Sequence, residues 1–263
     1  MQRRVGQVAI ESIAAESPKF SAALLFVHGL WCTPGVWRRF MGFFAHRGWT
    51  SYALHLRGHA GTASAPGVAA GYADCVRDVG DVIAACDAPP VLVGHDLGGL
   101  LALASAPRAR AVVALAPVVP RQLSAAAHPL LSSWRMRLAM RRARPLPAPR
   151  GGMGAAYFGA DPPGGTTPES SAVARELARG EIALPPRTAV PTLIVAGTAD
   201  PFAPARDVER LAAHVGAEVR RIEGGPHAMP WAPGWEQRVG EIHRWLIQTL
   251  GDDLLLMREE DDE

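Results

Sequence analysis

Asp96, Asp200 and His227 follow one another at separations of 104 and 27 positions, and together they are the parts of a nucleophile, an orienting acid and a general base. An imidazole held by one carboxylate can take a proton, while a second carboxylate, with a reference pKa of about 3.9, is already ionised at neutral pH. Asp96 lies in Val91-Leu-Val-Gly-His-Asp-Leu-Gly-Gly99, which reads as a buried strand, a sharp turn and then the apolar helix LLALASA. That is the setting of a nucleophile elbow. Gly94 and Gly98 stand two residues either side of Asp96, where a side chain would meet the backbone of the corner. Leu97 brings a backbone N–H at the helix start, and Leu30, in Leu25-Phe-Val-His-Gly-Leu-Trp31, brings another. The two amides are the expected oxyanion hole.

A carboxylate at the elbow selects its chemistry. Attack on an ester or amide would form a high-energy anhydride beside a second developing negative charge, whereas attack on a saturated carbon with a strained or good leaving group forms a stable ester. The expected reaction is therefore epoxide opening or displacement of halide, followed by attack of water on the Asp96 ester, with His227 as base and Asp200 orienting it. Tyr157 in GAAYFGAD is the candidate donor to a leaving epoxide oxygen. Trp31, Trp134 and Trp231 are candidates to line an apolar pocket, their indole N–H groups available to a halide or alkoxide. Trp37 reads as core, His28 and His59 as loop-shaping residues, and His95 as a strand-end packing residue.

These residues need a scaffold, and the apolar patterning supplies one. Short β-branched runs (QVAIESI, Ala23 to His28, Ser51 to Leu56, Pro90 to Val93, Ala111 to Leu115, Thr192 to Ala196, Ala217 to Ile222) alternate with helical spacing over Gly35 to Gly48, Tyr72 to Cys86, Leu97 to Ala106, Ala205 to Val215 and Trp235 to Leu250. The rhythm is that of a mainly parallel sheet covered by helices. Asp200 and His227 each follow a strand, at the C-terminal edge where such sheets place their sites. From about Pro120 to Val190 no strand is evident. That stretch reads as a helical lid: a helix from Leu123 to Arg144, a loop, and a short helix from Pro168 to Arg179. Residues 121–150 hold seven arginines and no acid, which fits either an anionic substrate portal or a solvated face.

With 263 residues, 48% hydrophobic and 20% charged, the chain has the material for one large core and little basis for disorder. Its 27 basic and 25 acidic residues leave a net charge of +2, too little to hold nucleic acid or an anionic membrane. Three cysteines, Cys32, Cys75 and Cys86, form neither a disulfide framework nor a zinc pattern. No phosphate loop, metal cluster, signal peptide or membrane span is expected. A cytoplasmic, cofactor-free protein acting on a small molecule follows, with its oligomeric state unread. The closing GDDLLLMREEDDE carries seven of the 25 acids and reads as a frayed tail.

Taken together, the elbow, the His-Gly loop and the late Asp and His resemble the α/β-hydrolase superfamily over nearly the whole chain. The resemblance implies an eight-stranded, mostly parallel sheet formed by residues 1–119 and 191–250, a cap at 120–190 after the sixth strand, and an acidic tail at 251–263. LHLRGHAGT is similar to the family's Arg-Gly-His loop, with His55 and Ala60 in place of the more usual Asp and Gly. The segment from Pro191 to Leu246 resembles small lipase-like members that use serine. Asp96 instead resembles the aspartate of epoxide hydrolases and of haloalkane and haloacetate dehalogenases. Two departures stand out. The cap offers one tyrosine where epoxide hydrolases use two, and Leu97 follows the nucleophile where haloalkane dehalogenases commonly have tryptophan. An epoxide hydrolase is the first reading. A dehalogenase, an ester or lactone hydrolase, and a non-catalytic ligand-binding member are the alternatives.

Overall fold

The computed structural model describes residues 2–6, 8–59 and 70–251. Ala60 and most of the acidic tail lie outside these. Eight strands form one sheet: β1 (Gln2–Val5), β2 (Val8–Ile13), β3 (Leu24–Val27), β4 (Ser51–Leu54), β5 (Val91–His95), β6 (Ala111–Leu115), β7 (Thr192–Gly197) and β8 (Glu218–Ile222). Their order is β1-β2-β4-β3-β5-β6-β7-β8. β1 and β2 pair antiparallel with each other, β2 pairs antiparallel with β4, and the remaining pairs are parallel. The central strands LLFV, VLVGH and AVVAL are buried throughout, as expected of parallel strands covered on both faces. β1 is a short edge strand that the apolar patterning did not single out, because QRRV carries no alternation.

Helices α1 (Arg38–Ala45), α2 (Tyr72–Ala84) and α3 (Leu97–Ala104) precede β6, and α7 (Ala205–Val215) and α8 (Trp235–Leu250) follow β7 and β8. α3, LGGLLALA, is apolar on every side and almost wholly buried, which fits a helix enclosed by the sheet and its neighbours. α8 is amphipathic, with Val239, Ile242, Trp245 and Leu246 turned inward.

Between β6 and β7 the chain carries α4 (Trp134–Arg141), α5 (Gly151–Phe158) and α6 (Ser171–Arg179). The single helix expected from Leu123 to Arg144 is in fact confined to α4. Pro129 cannot donate to a helical ladder, residues 121–133 form turns and irregular backbone, and Ser133 caps the new start by accepting from the Met136 amide at 3.4 Å. α5 occupies a stretch read as loop because of its glycines. Gly154 there approaches the Pro149 carbonyl so closely that a Cβ would sit 2.5 Å from its oxygen, and the helix is secured by burying Tyr157 and Phe158. α6 begins after Pro168, capped by Ser170, which accepts from the Ala172 amide at 3.2 Å.

Candidate active site

Because β3, β5, β7 and β8 run parallel, the loops leaving their C-terminal ends meet at one edge. They carry Leu30, Asp96, Asp200 and His227 respectively. Asp96 forms the corner between β5 and α3 with φ 55° and ψ −120°, a sparsely populated conformation for a residue with a side chain. The corner is sharp enough that a Cβ on Gly94 would lie 2.1 Å from the Gly98 carbonyl oxygen, and one on Gly98 would lie 2.1 Å from that of Val27. Only glycine fits either position.

Asp96 is fully buried. Its Oδ2 accepts the Leu30 amide at 2.8 Å and the Tyr157 hydroxyl at 2.6 Å. Its Oδ1 accepts no hydrogen bond and faces His227 Nε2 at 3.6 Å, an atom that is likewise without a hydrogen-bond partner. On the far side of the imidazole, Nδ1 donates to Asp200 Oδ2 at 2.8 Å. Asp200 Oδ1 accepts the amides of Phe202 and Ala203 at 2.8 and 3.1 Å, and His95 Nε2 donates to the His227 carbonyl at 2.9 Å. Both the ring and the loop of His227 are thus fixed. Leu97 opens α3, and its N–H, like other first-turn amides, has no partner within the helix.

Burial alone would disfavour charge on Asp96, but the neighbouring His227 outweighs it and holds the carboxyl well below the usual range. Burial likewise opposes a charge on His227, yet Asp200 and Asp96 push its pKa up to about 9. The resting pair is therefore carboxylate and imidazolium. Burial pulls His95 down to about 4 and keeps it neutral, and burial pushes the Tyr157 hydroxyl up, so that it remains a donor. Among the described residues no three His, Cys, Asp or Glu side chains converge to hold a metal ion. No helix among them is long and apolar enough to cross a membrane.

A family model described as the alpha/beta hydrolase family matches residues 24–238. The chain belongs to that family. This α/β hydrolase shares its fold with a monoacylglycerol lipase from Paleococcus ferrophilus, at 21% identity and a TM-score of 0.69 over 92% of this chain and 99% of that one. A soluble variant of monoglyceride lipase from Saccharomyces cerevisiae, solved with a substrate analogue, is similar at 14% identity and a TM-score of 0.72, covering 95% and 94%. A thioesterase domain from the curacin biosynthetic pathway is similar at 18% and 0.62, covering 92% and 98%. No curated protein sequence matches the chain.

Of the other residues expected at the site of this hydrolase, Tyr157 lies against Asp96 as described, its ring edge-on to Trp31 with centroids 5.5 Å apart. Trp134 is a correction: it is 70% exposed at the start of α4 and lines no buried pocket, since the turns before α4 carry it to the surface. Trp31 and Trp231 are buried, but their indole N–H groups donate to the Leu146 and Phe158 carbonyls at 3.1 and 2.8 Å. Neither N–H is therefore free for a ligand.

Glu169 was not anticipated. It is 1% exposed, and its carboxylate accepts the Trp31 and Ser170 amides at 3.2 and 2.7 Å and meets His59 Nε2 at 3.1 Å. Together with the Thr167 amide on the Trp31 carbonyl at 2.9 Å, it holds Trp31 at φ 59°. A carboxylate isolated between Pro168 and the two serines of TTPESSAV was the available signal. His28 and His59 shape this region, with their rings 4.7 Å apart.

Proposed function

We propose that this α/β hydrolase opens an epoxide through Asp96 and hydrolyses the resulting ester. The observation that carries the reading is the division of labour between the two Asp96 oxygens. Oδ1, free of hydrogen bonds, attacks the epoxide carbon as the C–O bond breaks, and Tyr157 protonates the departing oxygen. Oδ2 then becomes the ester carbonyl oxygen, already beside the Leu30 amide. His227, protonated at rest, returns a proton to the Tyr157 phenolate, whose ring lies 4.4 Å from its own, and so becomes neutral. Water then attacks Asp96 Cγ, the neutral Nε2 takes its proton, and the oxyanion on Oδ2 rests on the Leu30 and Leu97 amides. Collapse breaks the Cγ–Oδ1 bond, His227 protonates the departing alkoxide to give the diol, and the new carboxylic acid passes its proton back to His227, which restores carboxylate and imidazolium.

The charge on Asp96 times these steps. While Asp96 is ionised it helps keep His227 protonated. Esterification removes that charge and leaves Asp200 as the main support of the imidazolium, so His227 yields its proton to the Tyr157 phenolate and then serves as the base.

The occupied indoles of Trp31 and Trp231 and the exposed Trp134 favour an epoxide over a halide, since a departing halide would lack those donors, while Tyr157 supplies the proton an epoxide needs. A second reading, ester hydrolysis, draws on the lipase folds this chain resembles. It would have His227 activate water directly on a substrate carbonyl.

Single turnover in ¹⁸O-labelled water, with enzyme in excess, tests the proposal. Label should enter Asp96, located in the peptide containing VLVGHDLGG, and be missing from the first product. Label delivered directly into product would reject Asp96 as nucleophile.

A further inference from the structure

Away from the triad, four arginines converge on a cleft of about 320 Å³ between α4 and α6. Arg137 and Arg141 stand one turn apart on α4, and Arg175 and Arg179 one turn apart on α6, with His128 and Met140 completing the lining. Like charges four residues apart destabilise a helix, and here two such pairs share one concavity with no acid in its lining. Among the described residues, the one acid paired with any of them is Glu181, 3.6 Å from Arg179, both of them more than half exposed. Arg175 donates to the Met140 carbonyl at 3.2 Å. Arg137 and Arg141 have no ion pair or side-chain hydrogen bond among the described residues.

At the inner end, both ring nitrogens of His128 are buried without a hydrogen-bond partner, an arrangement that calls for a ligand or an ordered group. Its ring stacks on Phe202 at 6.0 Å. The Phe202 ring in turn lies 5.3 Å from His227 and 5.0 Å from Tyr157. One aromatic ring therefore separates the arginine cleft from the reacting groups.

We infer that the cleft is an oxyanion subsite for the substrate of Asp96, so that the enzyme takes a soluble amphiphilic anion, a carboxylate or a phosphate monoester, and not a neutral apolar molecule. The four guanidinium groups grip the acidic group, for which their planar forks are suited. The apolar body extends past His128 and Phe202, whose rings form the partition it must move aside. The link to Asp96 rests on the function proposed above, but the anion site itself does not.

Calorimetric titration with octanoate, octyl phosphate and 1-octanol, none of which can react, tests the inference on the wild type and the double variant Arg137→Gln/Arg175→Gln, whose folding is checked by its melting profile. Both anions should bind the wild type and octanol only weakly, and the double variant should lose about tenfold or more in anion affinity with octanol unchanged. Equal anion binding in the double variant, or no preference for anions over octanol, would overturn the inference. So would binding only to phosphatidylglycerol vesicles, which would assign the arginines to a lipid surface beside Trp134. Arginine-dependent anion binding together with ¹⁸O delivered directly into product would leave the subsite standing and reject the role of Asp96.

Discussion

The Tyr157 hydroxyl donates to Asp96 Oδ2 at 2.6 Å, on the same oxygen that accepts the Leu30 amide, and so makes the two oxygens of one carboxylate unequal. Residues 61 positions apart, on α5 and at the β5 corner, are joined by this bond. It leaves Oδ1 facing His227 and holds the phenol against the carboxylate.

Replacing Tyr157 with Phe should slow epoxide opening by about 10²-fold, the range of a general-acid contribution. Displacement of halide, which needs no proton, should fall far less. Parallel assays of diol formation and halide release on one preparation check this, and equal losses on both would reduce Tyr157 to a support for Asp96.

His227→Gln should stop the second step and leave the first running. An adduct of enzyme plus substrate should then accumulate on Asp96, visible in the intact-protein mass after incubation with a reactive epoxide. A variant that stays unmodified, beside a wild type that turns the same compound over, would contradict the two-step scheme.

Stability should depend on pH on both sides of neutrality. His227 has its pKa raised in the folded state to about 9, so its contribution is fully present below the unfolded value near 6.5 and is lost as pH rises through about 9. Asp96 and Asp200 have lowered values, so theirs is present above the unfolded carboxylate range and is lost as pH falls below it. His95 and His128, both pulled to about 4, add to the loss on the acid side, beginning below about 6.5. Thermal melts from pH 4 to 10 should show a maximum near neutrality, and His227→Gln should flatten the alkaline limb.

Removing the Glu169 carboxylate takes the acceptor from the buried Trp31 amide and the charge partner from His59. Glu169→Ala should cost about 3–5 kcal/mol, as breaking a buried pair does, read from denaturant unfolding. Glu169→Gln, which keeps an acceptor for the amide, should cost less. A surface-like effect from Glu169→Ala would mean that Trp31 holds its conformation without it.

The sheet and the convergence of Asp96, Asp200 and His227 were legible because local signals agreed with the global fold. VLVGHDLGG announces strand, corner and buried helix at once. Asp200 follows the buried apolar strand TLIVAG, and His227 follows the more polar, partly exposed edge strand EVRRI, and the alternation of strand and helix makes both strands parallel to β5. The inserted segment was harder to read for physical reasons. Its helices are short, Pro129 interrupts one, and α5 contains Gly151, Gly152 and Gly154, so it owes its helicity to the burial of Tyr157 and Phe158 and not to propensity. Residue type alone put Trp134 in a pocket, although nothing in its neighbourhood required burial. The role of Glu169 is not legible locally, because its partners, Trp31 and His59, are distant in sequence.

The clamp on Trp31 bears on engineering. Its amide, carbonyl and indole are all tied to residues 146–169, and the residue just before it presents the amide that contacts Asp96. The inserted helices are therefore not an exchangeable module. A chimaera that grafts a relative's insertion onto this sheet would have to bring counterparts of Leu146, Thr167 and Glu169, or redesign the loop from His28 to Trp31 with it. Otherwise the transplant would alter the surroundings of Asp96 even where Asp96, Asp200 and His227 themselves had not changed.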